Sequence, residues 1–177
     1  MVKRTFEVVV LAQGRRIGSF SLGYKNLRGF IASMSDEPEN SRLFHFASEH
    51  ASSFVRAAVA GKSCLLPETV EVLSKDTCWE VLKELLHSDA FQESATTEKL
   101  KEIAAAYPSA AVLLAGIMTS FPRCDHRELA EFLFQNPEPD VHWALAGNEE
   151  IPKSVLERLA GHPDPLIAKT AASTLSV

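Results

Sequence analysis

Long apolar runs are missing from this 177-residue chain, and so are the short motifs that mark most enzyme chemistry. No stretch approaches the roughly 20 apolar residues of a membrane-crossing helix, so no span is expected. Only Cys64, Cys78 and Cys124 carry thiols, and none stands in a Cys-x-x-Cys pair. That argues against a disulfide framework and against a zinc site. Isolated thiols suit a reducing compartment, and a cytoplasmic location is the expectation. Neither Gly-x-Ser-x-Gly, nor Gly-x-x-x-x-Gly-Lys-Ser/Thr, nor Gly-x-Gly-x-x-Gly occurs, and Gly61-Lys62-Ser63 lacks the upstream glycine of a phosphate loop. No cofactor is implied and no residue is singled out as catalytic.

What is present is ordinary for a folded protein: 46% hydrophobic and 23% charged residues, enough apolar matter for a core of its own. The chain begins with basic residues (Lys3, Arg4) followed by Val8 to Ala12. This apolar run is shorter than the core of a signal peptide, and Arg15-Arg16 stand where a small-residue cleavage site would be required. The segment reads instead as a β-hairpin, with Thr5 to Gln13 extended, Gly14-Arg15-Arg16 turning, and Ile17 to Leu22 returning. Alternation puts Phe6, Val8, Val10 and Ala12 on one face and Val9 and Leu11 on the other, so both faces are apolar. A lone hairpin is only marginally stable, so it is expected to dock on the rest of the chain or to pair with a second copy in a homodimer.

Charge is distributed unevenly. Net charge is -5, yet residues 1 to 33 carry six basic side chains against Glu7 alone, which leaves about -10 on the remainder. An acidic body disfavours the phosphate neutralisation that dominates nucleic-acid affinity. The residues from Gly23 to Asn40 read as irregular, ending in the polar, proline-containing stretch Ser33 to Asn40. Residues 1–40 are therefore assigned to the hairpin and its connection, and 41–177 to a helical domain.

That domain repeats. Apolar second helices begin near Val55, Val81, Val112, Val141 and Ile167, at offsets of 26, 31, 29 and 26 residues. Matching first helices lie between them at Pro67 to Leu73, Glu98 to Ala104, His126 to Leu133 and Pro152 to Leu159. The turns Asn136-Pro137-Glu138-Pro139-Asp140 and His162-Pro163-Asp164-Pro165 stand 26 apart, with Ser74-Lys75-Asp76-Thr77 in the equivalent place earlier. Prolines there end one helix and suit the first turn of the next. Helices of two or three turns do not survive alone, so stacked hairpins that bury one another's Leu, Val and Ala stripes are the physical expectation. The predicted fold class is mainly all-α: a right-handed α-α superhelix with a short N-terminal β-hairpin.

The stretch from Trp143-Ala144-Leu145-Ala146-Gly147-Asn148 through Pro152-Lys153-Ser154-Val155-Leu156-Glu157-Arg158-Leu159-Ala160 to His162-Pro163-Asp164-Pro165 resembles the leucine-rich repeat variant, one of the HEAT-like and armadillo-like α-superhelices. The likeness is best over residues 141–173, weaker for Phe54 to Leu73, poor between Phe91 and Pro122, and absent over 1–40. It implies protein binding. The cysteine cluster that holds an iron–sulfur centre in the founding member has no counterpart here, since no cysteine precedes Cys64.

Candidate sites follow from this frame. Cys124-Asp125-His126 offers three possible metal ligands, but adjacent side chains point apart and chelation on a helix wants a spacing of three or four. His45 and His50 are phased no better, while His87, His142 and His162 fall at repeat ends or turns. Trp79 and Trp143 open second helices, where core burial is the favoured reading. Superhelices present partners with the row of second helices, which nominates Arg56, Lys83, His142, Trp143 and Lys169 as possible protein-binding residues. The leading expectation is a non-catalytic interaction module with a protein partner and no nucleic acid. The alternatives are an enzyme resembling the HEAT-like DNA glycosylases and a small acidic inhibitor or immunity-type protein.

Overall fold

Gln13 (φ 50°) and Gly14 (φ 75°) both take the left-handed conformation. Two successive positive φ values define a type I′ turn, whose twist matches that of the strands it joins. The computed structural model describes residues 5 to 176, and in it β1 (Glu7–Ala12) pairs antiparallel with β2 (Arg15–Ser21). The turn thus begins one residue earlier than the sequence reading placed it, and Arg15 and Arg16 belong to the returning strand. Pairing of Val10 with Gly18 and of Leu11 with Arg16 leaves Ile17 as a bulge. Lys3 and Arg4 of the basic segment lie outside the described residues.

Twelve α-helices follow among the described residues: α1 (Tyr24–Ser33), α2 (Ser41–Ser48), α3 (Ser53–Ala60), α4 (Pro67–Leu73), α5 (Trp79–Leu86), α6 (Asp89–Ser94), α7 (Thr97–Ala106), α8 (Pro108–Ile117), α9 (His126–Phe134), α10 (Pro139–Ala146), α11 (Lys153–Ala160) and α12 (Pro165–Thr174). All nine helices expected from the periodicity are among them. The segment read as irregular contains α1, which buries Leu27 and Ile31 one turn apart. The chain forms two compact units, one ending at Phe91 and one beginning at Gln92, so the division falls within α6.

In the first unit α1 packs on α3 and α3 on α5, while α2 packs on α4 behind them. The cause is the apolar stripe on each helix: Val55, Val59 and Ala60 on α3, Val81, Leu82, Leu85 and Leu86 on α5, all buried. Each fully buried Leu or Val contributes on the order of 1.5–3 kcal/mol. Lys62 ties α1 in place. Its side chain is buried, and its ammonium donates to the carbonyls of Ala32 (3.3 Å) and Met34 (2.8 Å) at the end of α1. The same ammonium lies 5.5 Å from the centre of the Phe44 ring. A cation is favoured at that helix end, where carbonyls lack partners.

In the second unit α7 pairs with α8, α9 with α10 and α11 with α12, while α8, α10 and α12 pack successively, as do α7, α9 and α11. Thr96, Asp125 and Asp164 cap α7, α9 and α12 by accepting from the backbone N–H groups of Lys99, Glu128 and Leu166. Pro108, Pro139 and Pro165 occupy first-turn positions that need no N–H donor. Ion pairs link the first helices, Lys101 to Glu128 and Arg158 to Glu131, across 27 residues each. That separation is close to the 29 and 27 residues between the starts of these helices. Exposed pairs of this kind contribute only about 0.5 kcal/mol, so they mark the register more than they hold it.

Candidate functional site

The turns that precede α3, α5, α10 and α12 are each held by one side chain that accepts the backbone N–H two residues on. His50 accepts from Ser52, Asp76 from Cys78, Asn136 from Glu138 and His162 from Asp164. The first two stand 26 residues apart, and so do the last two. Such a bond lets a side chain replace a missing backbone partner just before a helix begins.

Two residues nominated for partner binding serve this architecture instead. Arg56 does not face outward: its Nε donates to Asp76 Oδ2 (2.5 Å), its Nη2 to Asp76 Oδ1 (3.0 Å), and its Nη1 to the carbonyls of His50 and Ala51. The hydrogen bond to Asp76 is the main cause that raises the Arg56 pKa above its ordinary value. His142 plays the equivalent part in the second unit. Its Nε2 lies 2.9 Å from the Phe134 carbonyl and its Nδ1 3.1 Å from His162 Nε2. Arg56 to Asp76 and His142 to His162 both span 20 residues, so each ties one turn to the next turn of its unit.

The histidine pair has a definite tautomeric consequence. Because Asp164 N–H donates to His162 Nδ1, His162 carries its proton on Nε2 and donates to His142 Nδ1. His142 then carries its own on Nε2, facing Phe134 O. Nitrogen-15 correlation spectra are expected to show both rings as Nε2–H tautomers. An Nδ1–H signal from either ring would break the chain of bonds.

The other nominated residues do lie at the surface: Lys83, Trp143 and Lys169 are exposed. Trp143 is 60% exposed, contrary to the expected core burial. Val141, Leu145 and Ala146 take the inward face of α10, and a residue two positions after Val141 lies about 200° around a helix from it. Trp79 is half-buried.

The first unit carries a groove of about 410 Å³ formed by α1, α3 and α5. Its floor is Ala57 and Ala58 of α3 with Gly61 just past the helix end, flanked by Arg28 and Ala32 of α1 and by Glu80 and Glu84 of α5. Phe54 stands at the mouth, 56% exposed, with the Arg28 guanidinium 5.7 Å from its ring centre. Tyr24, also exposed, extends this surface beside Phe54 and Arg28. The thiol of Cys78 donates to Glu80 (2.9 Å), the main cause that lowers the Glu80 pKa and keeps it a carboxylate. One wall is thus basic, the opposite wall acidic, and the floor small and apolar. The sequence held a usable signal: Phe54, Ala57, Ala58 and Gly61 follow the i, i+3, i+4, i+7 spacing of a single helix face, opposite the core stripe of Val55 and Val59.

Cys124, Asp125 and His126 diverge as their adjacency required. Cys124 Sγ lies 3.6 Å from Thr97 Oγ1, Asp125 caps α9, and His126 Nε2 lies 3.0 Å from the Phe121 carbonyl. Burial chiefly, then neighbouring carboxylates, push the Cys124 thiol pKa up, and desolvation with Asp36 nearby does the same for Cys64. Neither is the activated, low-pKa thiol that nucleophilic chemistry favours. No group of three or more metal-type side chains gathers among the described residues, and no described helix is long and apolar enough to cross a membrane. Comparison with known proteins finds no matching family model, no matching curated protein and no matching solved structure.

Proposed function

We propose that the chain is a non-catalytic interaction module of HEAT-like, leucine-rich-repeat-variant type, a right-handed superhelical array that works in a reducing compartment and grips a protein partner in the groove of its first unit. The observation that carries this reading is Phe54. A large aromatic ring is held at the surface by Arg28, beside a floor of small residues and between walls of opposite charge. Aromatic and Arg side chains dominate the energetics of protein interfaces. The floor is shallow enough for one apolar side chain of a partner segment, with an acidic neighbour set against Arg28 and a basic one against Glu80 and Glu84. Such a segment would satisfy both walls at once, which gives specificity in addition to apolar burial.

The test is affinity against a partner captured with the wild-type chain. Phe54→Ala is expected to weaken binding by about tenfold or more, whereas Leu166→Ala, an exposed residue of the second unit, leaves it unchanged. Equal affinity of the Phe54→Ala variant and the wild type would remove the groove from the proposal. Tight, salt-sensitive binding to duplex DNA would favour the nucleic-acid reading instead.

A further inference from the structure

We propose that β1 is the seam of a homodimer, in which two copies join their hairpins edge to edge into one four-stranded antiparallel sheet. The hairpin is exposed on both faces: Val9, Val10, Leu11, Ile17 and Phe20 are each more than 40% accessible. Two strands alone are only marginally stable in water, so a further strand is the addition that this ladder most lacks.

The hydrogen-bond pattern says which edge is available. Leu22 N–H donates to the Phe6 carbonyl at 2.8 Å, and the register pairs Val8 with Phe20 and Val10 with Gly18. In an antiparallel ladder, bonded pairs alternate with unbonded ones. The main-chain groups of Glu7 and Val9 therefore point away from β2, and those of Ser19 and Ser21 point away from β1. The two edges differ in character. β2 opens with Arg15 and Arg16 and contains Gly18, Ser19 and Ser21, all features that discourage pairing. β1 is Glu-Val-Val-Val-Leu-Ala, rich in β-branched residues, and its single charge is already neutralised by Arg16 at 3.0 Å.

The occupant follows from self-complementarity. When β1 is turned through a two-fold axis at Val9, Val9 faces Val9 of the second copy, Val8 faces Val10, and Val10 faces Val8. These three central pairs set apolar against apolar, Glu7 with its carboxylate held by Arg16 falls opposite Leu11, and the outward N–H and C=O of Val9 in each copy meet their counterparts. A C2 interface requires this kind of patch, one that fits itself. The partner is accordingly a second copy of this chain, and the surface is separate from the groove beside Phe54.

Proline substitution tests the edge selectively, because the Val9 N–H makes no bond within its own hairpin. In sedimentation equilibrium the wild-type chain is expected to run at twice the chain mass. Val9→Pro is expected to raise the dimer dissociation constant by about tenfold or more, while Ser19→Pro, the matching change on the other edge, leaves it unaltered. A cysteine at position 9 should form a disulfide with its copy under mild oxidation, seen as a joined peptide by mass spectrometry, since residues facing one another across such a ladder are close enough to bridge. A monomeric wild type overturns the proposal. So does a dimer that survives Val9→Pro, or equal loss with Ser19→Pro.

Discussion

Replacing Asp76 with alanine is expected to destabilise the first unit by about 3 kcal/mol, because it strips a nearly buried guanidinium of its only described carboxylate partner. The Asp76 side chain is 7% exposed and that of Arg56 18%. The two form a bidentate pair at 2.5 and 3.0 Å, which water replaces poorly at that depth. The same substitution takes away the acceptor for Cys78 N–H, so the entry into α5 loses its anchor together with the charge. At about 2–4 °C per kcal/mol for a chain of this size, the loss should lower the unfolding midpoint by about 6–12 °C, measurable by circular dichroism. Lys75→Ala provides the contrast. It deletes an ion pair with Glu71 whose partners are 65% and 57% exposed, and the expected change is under about 0.5 kcal/mol. Similar melting of the Asp76→Ala and Lys75→Ala variants would show that Arg56 turns to solvent.

Leu145→Ala should cost about 3–4 kcal/mol, by the loss of apolar burial plus the cavity left behind. Leu145 is fully buried on α10, a helix that packs against α8, α9, α11 and α12. A void at that position loosens three hairpins of the second unit together, and rigid neighbours cannot collapse to fill it. The measurement is chemical denaturation, in which the midpoint falls while the slope is kept. Leu166→Ala, at 69% exposure, should fall within about 0.5 kcal/mol of the wild type. A small loss for Leu145→Ala would mean that α10 is not held between its neighbours.

Much of this architecture was legible because its signals are local. Proline at a first turn and apolar residues one turn apart located α4, α5, α9, α10, α11 and α12 to within a few residues. The helix α1 was missed because it offers only Leu27 and Ile31 as core positions, has Gly29 in its middle, and begins at Gly23 without a side-chain cap. What fixes it lies 28 to 30 residues away, in Lys62, and no local pattern announces such a tie. The hairpin turn was misplaced for a related reason. Gln13 is an uncommon residue for a left-handed conformation, and the adjacent arginines looked more like turn than strand.

The candidate surface was read less well. Arg56 and His142 were nominated by their place on second helices, but each has a polar partner 20 residues downstream that turns it inward, and long-range partners are invisible in a single sequence. Trp143 and Phe54 were different, since helical phase alone sets them opposite the core stripes of α10 and α3. For them the periodicity that located the helices also held the answer. For Trp143 residue type misled, because large aromatic side chains are usually found in cores, and Phe54 was not singled out.

The turn-to-turn bonds bear on how the chain acquires its shape. Arg56 to Asp76, His142 to His162, Lys101 to Glu128 and Asn148 to the Ala115 carbonyl close loops of only 20 to 33 residues. Short loops carry a small entropic penalty, and chains built from near-neighbour contacts reach their native state quickly. These ties join neighbouring hairpins within one unit, so a nascent chain leaving the ribosome can consolidate each hairpin once the next has emerged, without waiting for its last residue.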